Sequence, residues 1–262
     1  MKHRFFRFAV VVFSTMMFFS CSKPSPKNRS IEYMNQEAAW KILCPGMGSI
    51  GIINNNEIDV YYLNEKRIWI LDRVSSFVIP EENSGILALG LGIIGVIESD
   101  LMNFYYLDAE NLWKKEYTMQ FVMPSEYDRI FPVKFSWEVG VIGVEKDGIV
   151  DFYYLDEKLI WRKDETASFV VPMNIDDYFS VGSMVMAVVS DKKLGFYYLK
   201  DDSNWEFLEN FVLKLPDQYE AVIQYEQNII GVLNEGKIKF YEVDFNDNEW
   251  IVDETMNFHL PF

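Results

Sequence analysis

The chain has 262 residues, 50% of them hydrophobic and 24% charged, a globular composition and too apolar for a disordered protein. It holds 24 Lys and Arg against 40 Asp and Glu, a net charge of −16; Lys2, Arg4 and Arg7 lie in the first 20 residues, where there are no acids, so the remainder carries −19. Such a surface repels phosphate backbones and argues against a nucleic-acid partner. Two histidines, His3 and His259, and two cysteines, Cys21 and Cys44, are too few for a His/Cys zinc site or a disulfide framework, and no cofactor or metal is expected.

Residues 1–7 are short and basic, and residues 8–19, FAVVVFSTMMFF, form an apolar stretch of twelve. That is short for a membrane span, which needs about 20 residues, and fits the h-region of a signal peptide. Phe18-Phe19-Ser20-Cys21 follows. It resembles the lipobox of bacterial lipoproteins, with Phe18 and Phe19 standing where that motif carries an aliphatic and a small residue. The resemblance implies a signal peptide over 1–20, lipidation of Cys21, and a protein held to the membrane of the cell envelope on its extracytoplasmic side. Residues 22–30, SKPSPKNRS, are polar with two prolines, and the stretch 21–37 reads as a tether. Cys44 is then the remaining thiol, read as a small buried hydrophobe rather than a reactive group.

From residue 38 to 262 the chain repeats itself. Tyr61, Tyr105, Tyr153 and Tyr197 each open a Tyr-Tyr-Leu, with a degenerate copy at Tyr241, at spacings of 44, 48, 44 and 44. Ten residues before each stand Gly51, Gly95, Gly143, Ala187 and Gly231. Trp69, Trp113, Trp161 and Trp205 follow eight residues after each Tyr, and Trp250 follows nine after. Eight residues past each Trp comes Phe77, Phe121, Phe169, Leu213 or Phe258, and then a proline. A weaker upstream landmark, nine and eight residues before each Gly, takes in Ile42-Leu43, Ile86-Leu87, Lys134-Phe135, Tyr178-Phe179 and Val222-Ile223.

In the third unit Gly143-Val144-Glu145 reads as a strand, Lys146-Asp147-Gly148 as a turn and Val150–Leu155 as a second strand. Asp156–Lys158 is another turn, Leu159–Arg162 a third strand, Lys163-Asp164-Glu165 a third polar turn and Ala167–Val171 a fourth run. In Phe104-Tyr105-Tyr106-Leu107 both alternating faces are apolar, so both sides of the sheet are covered. Five such sheets, each covered by two others, close most simply into a ring. The fold expected is an all-β, five-bladed β-propeller of five repeats of about 44 residues, with the glycine on the innermost strand and the Tyr hydroxyls bonded to backbone of adjacent blades. The layout resembles propeller repeats in general. Ala221–Asp244 resembles a WD40 run in spacing, without the Trp-Asp and Gly-His signatures, and tachylectin-type lectins are similar in blade number and repeat length.

The repeated Trp and Tyr are either five sugar-stacking sites or blade-to-blade packing; once-per-blade residues favour packing. Departures from the repeat are the better functional candidates. Pro124 to Gly143 spans 19 residues against 15 elsewhere, and the irregularity around Ser125–Arg129 and Trp137 offers Tyr127 and Trp137 as ligand contacts. Asp244–Glu249 looks like the opening of a calcium loop but has Glu249 where the glycine belongs and Thr255 where the bidentate glutamate belongs. No catalytic constellation is visible. The reading is a lipid-anchored, non-enzymatic binding or assembly module for a protein or carbohydrate ligand. A five-bladed glycoside hydrolase and a purely structural envelope lipoprotein are the alternatives, the former needing two carboxyls about 5–9.5 Å apart.

Overall fold

A computed structural model describes residues 42–46, 49–90, 92–108, 110–133, 140–182, 185–200, 203–226, 229–244 and 249–261. Five antiparallel meanders follow one another along the chain. The first is β1 (Ile42–Gly46), β2 (Ser49–Asn54), β3 (Glu57–Leu63) and β4 (Trp69–Val78). The second is β5 (Gly85–Gly90), β6 (Ile93–Glu98), β7 (Leu101–Leu107) and β8 (Trp113–Val122). The third is β9 (Arg129–Val133), β10 (Val141–Lys146), β11 (Ile149–Leu155) and β12 (Trp161–Val170). The fourth is β13 (Asp177–Gly182), β14 (Val185–Ser190) and β15 (Lys193–Leu199), with β16 (Trp205–Phe207) and β17 (Leu213–Lys214) both on β15. The fifth is β18 (Ala221–Glu226), β19 (Ile229–Asn234), β20 (Lys237–Asp244) and β21 (Glu249–His259).

The first strands of neighbouring sheets approach one another in a closed cycle, β1 to β5, β9, β13, β18 and back to β1. The architecture is therefore the five-bladed β-propeller expected. β1 belongs to the first blade, so among the described residues every blade is built from one contiguous stretch and none borrows a strand to close the ring. The interfaces are made by side chains, and the five buried clusters are the five interfaces. On β7 the alternation holds: Phe104 and Tyr106 face the third blade, and Tyr105 faces the first.

Each repeated tryptophan plugs into the blade before it. The indole N–H of Trp113 donates to the Ser75 carbonyl at 3.1 Å, Trp161 to Met119 at 2.9 Å, Trp205 to Ser168 at 2.8 Å and Trp250 to Phe211 at 2.9 Å. Trp69 reaches across the closing seam to Met256 at 3.1 Å. The ring of each except Trp250, whose preceding blade has Leu213 there, meets the preceding blade's outer-strand Phe edge-on, as in Trp113 on Phe77 at 5.1 Å and Trp69 on Phe258 at 5.1 Å. Four of them also lie over a third-strand Phe, as in Trp161 on Phe104 at 5.4 Å. The first Tyr of each pair packs on the same Phe, Tyr105 on Phe77 at 5.2 Å among them. Such aromatic contacts each add about 0.5–1.5 kcal/mol beyond area burial.

Four expectations need correction. Lys163–Glu165 does not reverse the chain. β12 runs through it as one strand with a wide bulge between the pairs Tyr153–Lys163 and Asp151–Ser168, and the upstream landmark supplies the first of the four strands. A turn-forming acid appears there because it pins the bulge: Asp164 accepts from the Thr166 N–H and hydroxyl at 2.8 and 2.7 Å. Asp72, Glu116 and Asp253 do the same in their blades. The bulge takes carbonyls out of the ladder, and three tryptophans use such carbonyls, those of Ser75, Met119 and Met256, while Trp205 uses Ser168 at the end of its bulge.

The landmark glycine lies on the second strand, not the innermost. Its role is steric: a Cβ on Gly143 would fall 2.7 Å from the Phe131 ring on the neighbouring strand. Three Tyr hydroxyls donate to carboxylates rather than backbone, Tyr105 to Glu98 at 3.3 Å, Tyr178 to Glu145 at 2.7 Å and Tyr198 to Glu206 at 3.0 Å. Finally, Phe131 is the residue opposite Gly143, so Ile130-Phe131, not Lys134-Phe135, match Ile42-Leu43. The extra residues of the third unit follow β9 instead of preceding it.

Replacing Trp69 by Phe keeps the ring but removes the donor to the buried Met256 carbonyl. It should lower unfolding free energy by about 1–2 kcal/mol in a urea titration, and Trp69→Ala by about 3–5 kcal/mol. At the same seam Arg67 lies 3.2 Å from Asp253. Burial would raise the Asp253 carboxyl, but the Thr255 hydrogen bonds and Arg67 outweigh it and hold its pKa below the ordinary 3.8. A depressed folded pKa contributes stability above the unfolded value that is lost as pH falls through the folded one. The wild type should therefore lose thermal stability below about pH 4 more steeply than Asp253→Asn, which should start lower at pH 7.

Candidate functional site

At one end of the ring the first strands begin, the links between blades run, and the β2–β3-type turns close. Because the fivefold aromatic contacts are consumed in packing, chemistry has to come from residues that break the repeat. Four of them meet at this end, between the third and fourth blades. Glu145 on β10 stands where the other blades carry Ile53, Ile97, Val189 and Leu233. Tyr178 on β13 stands where they carry Ile42, Ile86, Ile130 and Val222. Arg129 and Asp177 open β9 and β13, where the second and fifth blades have Gly85 and Ala221.

Glu145 pairs with Arg129 across the sheet. Arg129 donates to Asp177 of the next blade at 2.7 Å, with the two side chains 25% and 40% exposed. Its guanidinium lies 4.7 Å from the centroid of the Tyr178 ring and 5.6 Å from that of Phe131, a stacked cation between two blades. The buried Tyr178 hydroxyl donates to Glu145 at 2.7 Å. Burial drives that hydroxyl well above its ordinary range; Arg129 opposes this, and Glu145 and Asp177 reinforce it. Tyr178 therefore stays a donor at neutral pH. The neighbouring link residue Asp128 accepts from the Asp147 N–H at 2.8 Å, and Asp176 and Asp177 together raise the Tyr219 hydroxyl, whose largest cause is again burial. The result is one stacked, partly exposed cation in an acidic surround.

Tyr127 sits in the link between β8 and β9, half-buried against the interface of the second and third blades. The stretch Ser125–Arg129 is not an insertion, since Pro80–Gly85, Pro172–Asp177 and Pro216–Ala221 have the same length. The added residues fall between Val133 and Gly140. Trp137, like Cys21 and residues 245–248 of the acidic stretch, lies outside the described residues. Among the described residues no three His, Cys, Asp or Glu side chains converge as a metal site. Counting forward from each proline across the four-residue link carries the signal for Arg129, which counting backward from Gly143 hides; Tyr178 is already visible nine residues before Ala187, in the column of Ile42, Ile86 and Val222.

No protein-family model matches the chain, and no curated protein does. Several solved structures align with the chain at low identity. A Lactobacillus plantarum protein aligns at 10% identity with a TM-score of 0.42, over 84% of this chain and 69% of that one. Kluyveromyces lactis Hsv2 aligns at 11% identity and 0.41, over 81% and 61%. A 6-phosphogluconolactonase-like protein from Bacteroides uniformis aligns at 8% identity and 0.40, over 84% and 68%. The chain thus spans about two thirds of the length of these structures.

Tyr178→Phe removes the donor to Glu145 and should cost about 1.5–3 kcal/mol of unfolding free energy, while Glu145→Gln, which keeps an acceptor for that donor, should cost less than half as much. Denaturant titration of the two variants at pH 7 checks the order.

Proposed function

We propose that this chain is a lipid-anchored β-propeller of the cell envelope, held outside the cytoplasm, that binds a protein or glycan partner rather than turning over a substrate. The observation that carries the binding half is the gathering of Arg129, Glu145, Asp177 and Tyr178 at one mouth of a ring whose other repeat positions serve packing. A partly exposed ion pair stacked on aromatic rings is a directional recognition element.

The anchoring half rests on the basic-then-apolar segment ahead of Cys21. From Cys21 to Ile42 there are 21 residues, a reach of up to about 70 Å. The first strand begins at the same end of the ring as the mouth network, so tether and network share that end. Hydrolysis is supported less well. A glycosidase acid needs a raised pKa, whereas the carboxyls held away from their ordinary value among the described residues, Asp108, Asp156, Asp217 and Asp253, are all lowered.

The test has two arms. Full-length protein expressed in a bacterial envelope should incorporate labelled fatty acid and sediment with membranes, and Cys21→Ala should do neither. Envelope extract passed over the immobilised protein should yield a partner whose recovery falls at least about fivefold with Asp177→Ala, in line with a lost charged contact. Unlabelled wild type would refute the anchor; a partner indifferent to Asp177, or a glycan cleaved by the pure protein, would refute the binding reading.

A further inference from the structure

Each link between blades is tied down at the mouth by two backbone hydrogen bonds. Where the chain leaves an outer strand, the residue ahead of the proline donates its N–H to the β2–β3-type turn of its own blade. Ile79 gives to the Asn56 carbonyl at 2.7 Å in the first blade, and the series runs through to Leu260 on Gly236 at 2.8 Å in the fifth. Where the chain enters the next blade, the residue two ahead of the Ile86 column donates to the second strand. Ser84 gives to the Ile97 carbonyl at 2.9 Å, and Asp128 to Glu145, Asp176 to Val189 and Glu220 to Leu233 at 2.8 Å each.

At the seam between the fifth and first blades the outgoing half of such a link is in place as far as Pro261. The chain ahead of Ile42 reaches the same seam from the other side, and Ile42 and Leu260 pack in one interface. Ile42 pairs with Ile52 as Ile86 pairs with Val96. By that register the incoming donor of the first blade is Trp40 and its acceptor is the Ile53 carbonyl. A single residue, Lys41, separates Trp40 from β1, which keeps residue 40 within about 7 Å of the start of the strand. Residues 39–41 lie outside the described residues.

The side chains at this position do not all act alike. Asp128 also accepts the Asp147 N–H at 2.8 Å, and Glu220 accepts that of Glu235, each in the turn of its own blade. An indole carries a donor and no acceptor, so Trp40 cannot repeat that contact. The backbone bond is the one element that all five blades can share. One residue further ahead, Tyr127, Ile175 and Tyr219 pack against their seams, and in the first blade that place falls to Ala39.

From this we infer that residues 39–41 dock at the mouth end of the fifth–first seam as the incoming half of a fifth link, with the Trp40 N–H donating to the Ile53 carbonyl. The segment ahead of the ring is then rooted on the closing seam, and a pull on it loads this bond before it loads β1. The inference holds whether or not Cys21 is lipidated. It is tested by amide hydrogen exchange of the nitrogen-labelled, full-length protein in a maltoside detergent. The residue 40 amide should exchange at least about a hundredfold more slowly than an open amide, as a bonded strand-end amide does. Trp40→Ala keeps the N–H and should leave that protection in place. Trp40→Pro removes the N–H and should lower the melting midpoint by about 2–4 °C, whereas Gln36→Pro, ahead of the contact, should leave it unchanged. A residue 40 amide that exchanges as an open one, protection lost in Trp40→Ala, a Trp40→Pro midpoint equal to the wild type's, or an equal loss in Gln36→Pro would each overturn the inference.

Discussion

The ring depends on a tryptophan of one blade entering a socket on the blade before it. Among the described residues no strand crosses between blades, so hydrogen-bond ladders stabilise each blade separately and contribute nothing to its neighbours. Cohesion falls to side chains. Five buried clusters, each drawing on two blades, supply the apolar part, and the indole N–H supplies the directional part. The closing interface uses the same device as the other four, with Trp69 seated on Met256, Phe240 and Phe258. The first and last blades therefore meet as ordinary neighbours.

That socket explains several features that otherwise look unrelated. An indole donor needs a carbonyl that the sheet is not using, a bulge provides one, and an acid three residues after the Trp holds the bulge open. Part of the large negative charge of the chain follows from this requirement. Asp108 and Asp156 serve a parallel purpose in the turns before the outer strands, accepting backbone N–H groups of Glu110, Leu112, Lys158 and Ile160. When the fourth blade replaces the acid with Leu208, the strand breaks into a 3-10 turn over Glu209–Phe211, yet the Phe211 carbonyl still receives Trp250. The contact persists while the means of presenting it changes. The mouth network also involves the fourth blade, through Asp177 and Tyr178 on β13.

Most of the architecture was legible from the sequence because a propeller writes one interface five times. The register of Tyr, Trp and Phe is the register of sockets, and a strand apolar on both faces, such as Phe104–Leu107, states that both faces are covered. What misled was local. Lys163-Asp164-Glu165 has turn composition, and composition does not distinguish a bulge that keeps its direction from a turn that reverses. The glycine was placed near the axis on the general ground that small residues suit crowded places; the crowding at Gly143 comes instead from the Phe131 ring beside it in the sheet. Arg129 is hidden because the extra residues of the third unit shift any count made backward from Gly143, whereas Glu145 and Tyr178 keep their register. Counted forward from Pro124, Arg129 falls in line with Gly85, Asp177 and Ala221, and Glu145 and Tyr178 stand out as polar residues in apolar columns.

Hydrogen exchange of the indole N–H groups, followed by nitrogen-labelled tryptophan spectra of the full-length protein, tests the socket account most directly. Trp69, Trp113, Trp161, Trp205 and Trp250 should be protected together and lose protection in a single cooperative opening, Trp69 no sooner than the rest. Five indoles exchanging at the rate of free tryptophan, or Trp69 exchanging far ahead of the other four, would contradict a ring closed by identical sockets.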